Sequence, residues 1–291
     1  MTSKLIHIRE REETIARRRS PISKEMFVAI ANHACDADRD SAESVIFDWI
    51  TLGRVAGFRV AEYAQTTQNK VDEFEYASGN RIIKAFVPLD WKFYDKQGRL
   101  MNVHSLDGLA DPPSKMKLTF RIQKNRQNGQ SINFVADDKH QNICPVRAAY
   151  RIFLRAKRLG QSNDQPMGVF SNKQGITKYL TANKIAEVLQ FFAKACHPDL
   201  TKDKIMRFTS HSIRVWAVVL LDEAGMNADF IKSRLRWMGD SYRLYLRDTA
   251  VLQAKHITAL GSSSDEFAKL FGENRTALPD IVPVDDAMGS Y

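Results

Sequence analysis

Cysteine is scarce in this chain of 291 residues: three, Cys35, Cys144 and Cys196, stand apart with no C-x-x-C pair. Neither a disulfide framework nor a zinc knuckle can be read from them, and each thiol is expected to be a small buried hydrophobe. Cys196-His197 lacks two further ligands at zinc spacing, so no metal site is expected. Long apolar runs are also missing. The longest, Val215 to Leu221, falls far short of the ~20 residues that cross a bilayer, and the opening MTSKLIHIREREE has no apolar signal core. An intracellular setting with no membrane partner is the expectation. The absence of a glycine-rich G-x-x-x-x-G-K-S/T loop argues against NTP-driven work, and no nucleotide or other cofactor is expected. There is no internal repeat. A composition 44% hydrophobic and 26% charged excludes disorder throughout and collagen-like repetition.

What the chain does have is positive charge, placed unevenly. The net charge is +9, but residues 261–291 hold six acids against two bases, which leaves +13 on the first 260 residues. Residues 115–158 alone carry eleven bases against Asp137 and Asp138. A concentrated positive field attracts a polyanion, and with no apolar amphipathic anchor beside it the expected partner is double-stranded DNA rather than a membrane surface. On charge alone, a solvated surface chosen for solubility is the competing reading.

The order of elements follows from periodicity and caps. Residues 1–20 alternate charges and end in Arg17-Arg18-Arg19 with no apolar face, which reads as a basic tail or linker remnant. An ordered domain is expected over 21–260. Ser23 can cap a helix carrying Met26, Phe27, Ile30 and Ala31, and Asp40-Ser41-Ala42-Glu43 reads as a capping box for a second, strongly buried helix running to Gly53 and Gly57. The period then changes: 82–87, 91–94, 118–122 and 131–135 read as strands of one small antiparallel sheet. Helices return at 146–159, 181–195 and 212–224, followed by a short helix from Asn227 to Met238 and another from Asp240 or Ser241 through Tyr242, Tyr245 and Leu252. The fold class is mainly α with a small antiparallel β-sheet (α+β). Residues 261–291 read as a flexible acidic tail with a short amphipathic stretch, Asp265 to Phe271.

Three stretches carry unusual chemistry. Arg59 and Glu62 follow a glycine bend; His211 and Arg214 lie three apart at a helix start; Trp237 and Tyr245 share a basic run. Two arginines, a histidine, a tyrosine and a hairpin lysine suffice to attack a phosphodiester without a metal. Guanidinium forks match the non-bridging oxygens, a histidine near its own pKa moves a proton, and a positioned tyrosine can become a phosphotyrosyl ester. Taken singly, each group has an ordinary explanation, such as an i,i+3 ion pair for Arg59 and Glu62 or core packing for Trp237.

As a set, G-F-R-V-A-E at 57–62, S-H-S-I-R at 210–214 and R-W-M-G-D-S-Y-R-L-Y-L-R at 236–247 resemble the tyrosine recombinase (phage integrase) family over about residues 21–260. The W-x-x-D-x-Y-x-x-Y form looks most like integrases of DIRS-type mobile elements, which would imply a nuclear setting for a eukaryotic element. The resemblance implies that Arg59 and Arg214 grip the scissile phosphate, His211 assists proton transfer, Trp237 fills the position where many relatives carry histidine, and Tyr245 attacks. It also implies that Lys124 protonates the leaving 5′ oxygen, with Lys117 and Arg126 as neighbouring candidates, and that Glu62 buttresses the site. Lys115, Lys117, Arg121 and Arg126 are expected to contact DNA, and the C-terminal segment to dock on a neighbouring protomer.

Some features depart from the family pattern. Residues 1–20 cannot supply the N-terminal helical domain that relatives close around DNA, Trp237 to Tyr245 spans eight positions where nine is common, and 64–113 is longer and more polar than a compact member needs. Two functions follow: a DNA strand-transfer enzyme working through a 3′-phosphotyrosyl intermediate, or an inert DNA-binding remnant of such an integrase. In either case duplex affinity should fall steeply with salt, because each neutralised phosphate releases counterions. Replacing Lys115, Lys117, Arg121 and Arg126 together should flatten that slope in a salt titration, whereas an unchanged slope would place the DNA face elsewhere.

Overall fold

The structure is a computed structural model that describes residues 19–102, 112–122 and 128–246. Lys124, Arg126, the basic tail, the continuation toward Leu252 and the acidic C-terminal segment lie outside the described residues. The class is as expected, mainly helical with small antiparallel sheets.

Helix α1 (Lys24–Asp36) starts at Ser23, whose Oγ accepts the Met26 N–H at 3.2 Å, and buries Met26, Phe27 and Ile30. Its Cys35 is exposed, contrary to expectation, because five positions beyond Ile30 a side chain lies on the far side of the helix. Helix α2 (Ala42–Ala56) is the central element, buried nearly all round from Val45 to Gly53. Its cap is Ser41, which accepts from Ser44 N–H at 3.2 Å, rather than the expected Asp40–Glu43 box. Asp40 is engaged instead in an ion pair with Arg158. Gly57, at φ 57°, ends α2 in the left-handed region, and the chain turns into a 3₁₀ turn over Val60–Glu62.

The single sheet expected in the middle of the chain is divided in two. Strands β1 (Glu73–Glu75) and β2 (Arg81–Ile83) pair only with each other. Strands β3 (Trp91–Tyr94), β4 (Lys115–Thr119) and β5 (Ser131–Val135) form an antiparallel meander with Trp91 opposite Leu118 and Met116 opposite Phe134. The expected strand over 118–122 begins three residues earlier, since Met116 and Leu118 are the positions that point into the core. Helix α3 (Pro145–Arg158) follows, and then a hairpin that the periodicity did not reveal, β6 (Val169–Ser171) with β7 (Thr177–Tyr179), each strand only three residues long.

Helices α4 (Ala182–Cys196), α5 (Lys202–Ile205), α6 (Ser212–Glu223) and α7 (Ala228–Leu235) complete the described chain. Asn227 caps α7 by accepting Phe230 N–H at 2.8 Å, as expected, but the helix stops at Leu235 and not at Met238. The break is at Arg236, a non-glycine residue at φ 58°. The segment after Gly239 is a 3₁₀ turn, Asp240–Tyr245, instead of the start of an α-helix.

Two kinds of packing hold the site's elements together. Helix α2 carries Asp48, 1% exposed, which receives Arg151 Nε at 2.6 Å and Arg155 Nη2 at 2.8 Å from α3. A buried carboxylate of this kind is tolerated because both oxygens are paired. Beside it lies an aromatic cluster. Trp49 packs with Phe58, Tyr63, Phe86 and Trp91, and Phe86 and Phe58 both reach Phe120. One turn beyond Trp49, Gly53 lets α6 approach so closely that an added Cβ would stand 2.5 Å from Ile213 Cγ2. Gly53→Ala is therefore expected to destabilise the protein by ~1–3 kcal/mol through overpacking, read as a lower urea midpoint with an unchanged slope.

Candidate active site

The sequence places Arg59, Glu62, His211, Arg214, Trp237 and Tyr245 on three separate segments, and the fold brings them together. Glu62, 4% exposed, is the hub. Its Oε2 accepts the Arg59 backbone N–H at 2.9 Å, closing the 3₁₀ turn, and its Oε1 lies 3.5 Å from Arg59 Nη1. The i,i+3 pair anticipated as an ordinary surface contact is thus real, but its carboxylate is buried and has a further partner.

That partner is Arg236, which the sequence reading passed over. Its Nη2 reaches Glu62 Oε1 at 3.2 Å and Oε2 at 2.9 Å, its Nη1 donates to Ala56 O at 3.0 Å, and its Cζ sits 3.5 Å from the Phe120 ring centroid. Arg59 Nη2 in turn donates to Arg236 O at 3.2 Å. A left-handed non-glycine residue costs ~1–3 kcal/mol and persists only where its surroundings hold it. The one trace of this in the sequence is that no glycine stands where α7 ends.

Arg214 comes from α6 and is 3% exposed. Its Nη1 donates to Gly57 O and its Nη2 to Leu235 O at 2.8 Å, so a single guanidinium ties the end of α2 to the end of α7. Its Cζ lies 4.5 Å from the Trp237 ring centroid. Burial, with Arg59 and Arg236 close by, lowers the Arg214 pKa to about 9, and burial likewise lowers that of Arg236 to about 10, against the pull of Glu62. Both stay charged at neutral pH. Three cations around one buried carboxylate leave an excess of positive charge that an oxyanion would neutralise.

His211 is the N-cap residue of α6, but its side chain makes no capping bond. Thr209 N–H donates to Ser212 Oγ at 3.0 Å instead, which leaves the imidazole to reach Tyr245 Oη, 3.2 Å from Nε2. Burial first, then the charges of Arg214 and Arg19, lower the His211 pKa to about 4. The ring is neutral at pH 7 and can accept the phenol's proton. Trp237 lies between the arginines and the tyrosines, 6.1 Å from Tyr245 and 6.4 Å from Tyr242 by ring centroids. Its indole Nε1–H is buried and has no hydrogen-bond partner among the described residues. Tyr242 is 2% exposed and packs against Trp237, whereas Tyr245 is only half-buried. Behind them, Tyr63 donates its hydroxyl to Ser210 O at 3.2 Å and so fixes the start of the α6 motif to the aromatic cluster.

The candidate DNA contacts are placed differently from one another. Lys115 and Lys117 share the outer face of β4, Lys115 exposed and Lys117 half-buried. Arg121 is not an open base: Asp90 chelates it, with Nε at 3.0 and 3.2 Å and Nη2 at 3.1 Å, in a largely buried pair. Its replacement would break a structural ion pair, so the salt-slope test rests on Lys115, Lys117 and Arg126. Among the described residues no group of three or more His, Cys, Asp or Glu could hold a metal ion, and no helix is long and apolar enough to cross a membrane.

The His211 environment makes a stability prediction. The unfolded chain takes up a proton on this ring below about pH 6.5, and the folded chain does so only below about 4, so stability falls as the pH drops through that window. The expected loss between pH 7 and 5 is roughly 1–2 kcal/mol in urea unfolding, and His211→Gln should reduce it.

No family model and no curated protein matches this sequence. Solved structures similar to it include the Tn1549 transposon integrase in complex with transposon right-end DNA, at 11% identity and a TM-score of 0.42, covering 84% of this chain and 66% of that one. Also similar is the XerH site-specific recombinase bound to difH substrate in a pre-cleavage complex, at 10% identity and a TM-score of 0.42, covering 84% and 55%. The same Tn1549 integrase with a circular intermediate DNA matches at 11% identity and a TM-score of 0.38, covering 85% and 68%. The chain spans about two thirds of the length of the first of these and about half of the second.

Proposed function

We propose that this protein is a DNA strand-transfer enzyme of the tyrosine recombinase type. The observation that carries the reading is the hydrogen bond of His211 Nε2 with Tyr245 Oη at 3.2 Å, formed across 34 residues beside the buried Arg214 and Arg236 and the partly exposed Arg59. In this reading the scissile phosphate sits against Arg59 and Arg214, whose positive charge offsets the negative charge that builds on the pentacoordinate phosphorus. Trp237 Nε1–H donates to a non-bridging oxygen. Tyr245 Oη attacks phosphorus as its proton passes to His211, the bond to the 5′ oxygen breaks, and that oxygen takes a proton from Lys124. The products are a 3′-phosphotyrosyl ester and a 5′ hydroxyl. A 5′ hydroxyl from a partner duplex then reverses the steps, releasing the tyrosine. Each step exchanges one phosphodiester for another, so the steps as written need no nucleotide cofactor.

The W-x-x-D-x-Y-x-x-Y wording supports a DIRS-type mobile-element integrase within that class, with a nuclear setting in a eukaryotic host. Docking of the 265–271 segment on a second protomer would provide the assembly that strand exchange needs.

The enzyme reading is tested by incubating the protein with nicked duplexes and resolving covalent protein–DNA adducts under denaturing conditions. The wild type is expected to form an adduct. Tyr245→Phe should abolish it while duplex affinity is retained, and Tyr242→Phe, which removes one hydroxyl from a packing residue, should keep measurable cleavage. Mass spectrometry of the DNA-linked peptide identifies the nucleophile, and a link at Tyr242 would overturn the assignment. Salt-sensitive binding with no adduct from the wild type would select the inert remnant.

A further inference from the structure

Arg236 occupies an unusual place in the site. A glycine would adopt its φ of 58° without strain, so the backbone conformation does not call for arginine. The side chain, 4% exposed, grips both oxygens of Glu62, and the main-chain carbonyl of the same residue accepts from Arg59 Nη2. Arg59 is therefore held from two sides by one residue, directly through Arg236 O and indirectly through Glu62. The guanidinium also lies on Phe120, which directly follows β4, and Arg234 repeats the arrangement with its Cζ 4.7 Å from the Phe134 ring and its Nη2 3.3 Å from Asn133 O on β5. Alternate residues of one short segment thus clamp strands β4 and β5 to the Glu62 turn.

We propose that Arg236 is a positioning residue that fixes Glu62, and through it the Arg59 guanidinium, against Phe120 at the end of β4, so that the phosphate-gripping group keeps its productive position. The inference rests on the strand-transfer reading for its reaction but not for its pocket. A guanidinium displaced by about 1 Å from its productive position can lose about 10²-fold in rate with little effect on binding, because DNA affinity is spread over many phosphate contacts.

The test uses the full chain and the variants Arg236→Gly, Arg236→Lys, Glu62→Gln and the double variant Arg236→Gly/Glu62→Gln. Adduct formation is followed under single-turnover conditions on nicked duplex. In parallel, affinity is compared for nicked duplexes ending in a 3′-phosphate or a 3′-hydroxyl at the nick. Arg236→Gly, with its backbone unstrained, should slow adduct formation about 10²-fold and lose the preference for the 3′-phosphate, with overall duplex affinity nearly unchanged. Added guanidinium should restore part of the rate, which it would not do for a purely structural loss. The double variant should be no slower than the slower single one, as expected if Arg236 acts through Glu62. Should Arg236→Gly fail to fold, Arg236→Lys decides: a folded, slowed enzyme supports the role. A glycine or lysine variant with wild-type rate and phosphate preference overturns it. If the wild type forms no adduct yet prefers the 3′-phosphate and Arg236→Gly does not, the strand-transfer reading fails and the pocket assignment stands. A wild type with neither adduct nor preference overturns both.

Discussion

The buried carboxylate of Glu62 is the constraint on which the rest of the site depends. Arg214 and Arg236 are buried beside the partly exposed Arg59, and among the described residues Glu62 is the acid in direct contact with both Arg59 and Arg236. Breaking a buried pair by removing one partner costs roughly 3–5 kcal/mol, because a desolvated charge is left behind. The surrounding elements serve to keep this carboxylate in place. Gly57 supplies the left-handed turn that swings the chain off α2, the 3₁₀ turn aims Glu62 back at its own N-terminal neighbour, and Phe58 anchors the turn in the aromatic cluster.

Main-chain carbonyls do much of the remaining work. Gly57 O, Leu235 O, Ala56 O and Arg236 O all accept from the three guanidiniums. Each of these carbonyls belongs to a helix end or a turn beside one, where acceptors lack helical partners. The arginines therefore cap helices and build the pocket with the same nitrogens. Aromatic faces supply the rest, since Trp237 lies under Arg214 and Phe120 under Arg236. Such contacts satisfy a cation without neutralising it, so the pocket keeps its surplus positive charge.

The environment of His211 follows from the same field. Ordinary imidazole titrates near neutrality, but with little water around it, and with Arg214 one helical turn away, the ring stays neutral well below that. A neutral ring beside a phenol accepts a proton, whereas an imidazolium could not. Burial, with Arg214 and Arg19 adding to it, thus keeps neutral the group that would activate the nucleophile.

Much of this was legible along the chain because it is local. The caps at Ser23 and Asn227, the buried α2 and the glycine bend at Gly57 depend on residues within one or two turns, and the Arg59–Glu62 and His211–Arg214 spacings mark each motif without reference to the others. What the tertiary structure alone decided involves partners far apart in the chain. Arg121 reads as a free base until Asp90, 31 residues away, chelates it. The strands expected as one sheet separate into two because pairing depends on which faces reach the core, and strands of three to five residues carry too little periodicity to show it. Arg236 went unnoticed for the same reason. Its partners Ala56, Glu62 and Phe120 lie more than a hundred residues away, and a left-handed arginine leaves no pattern in a sequence, because the energy that holds it there comes entirely from contacts that exist only once the chain has folded.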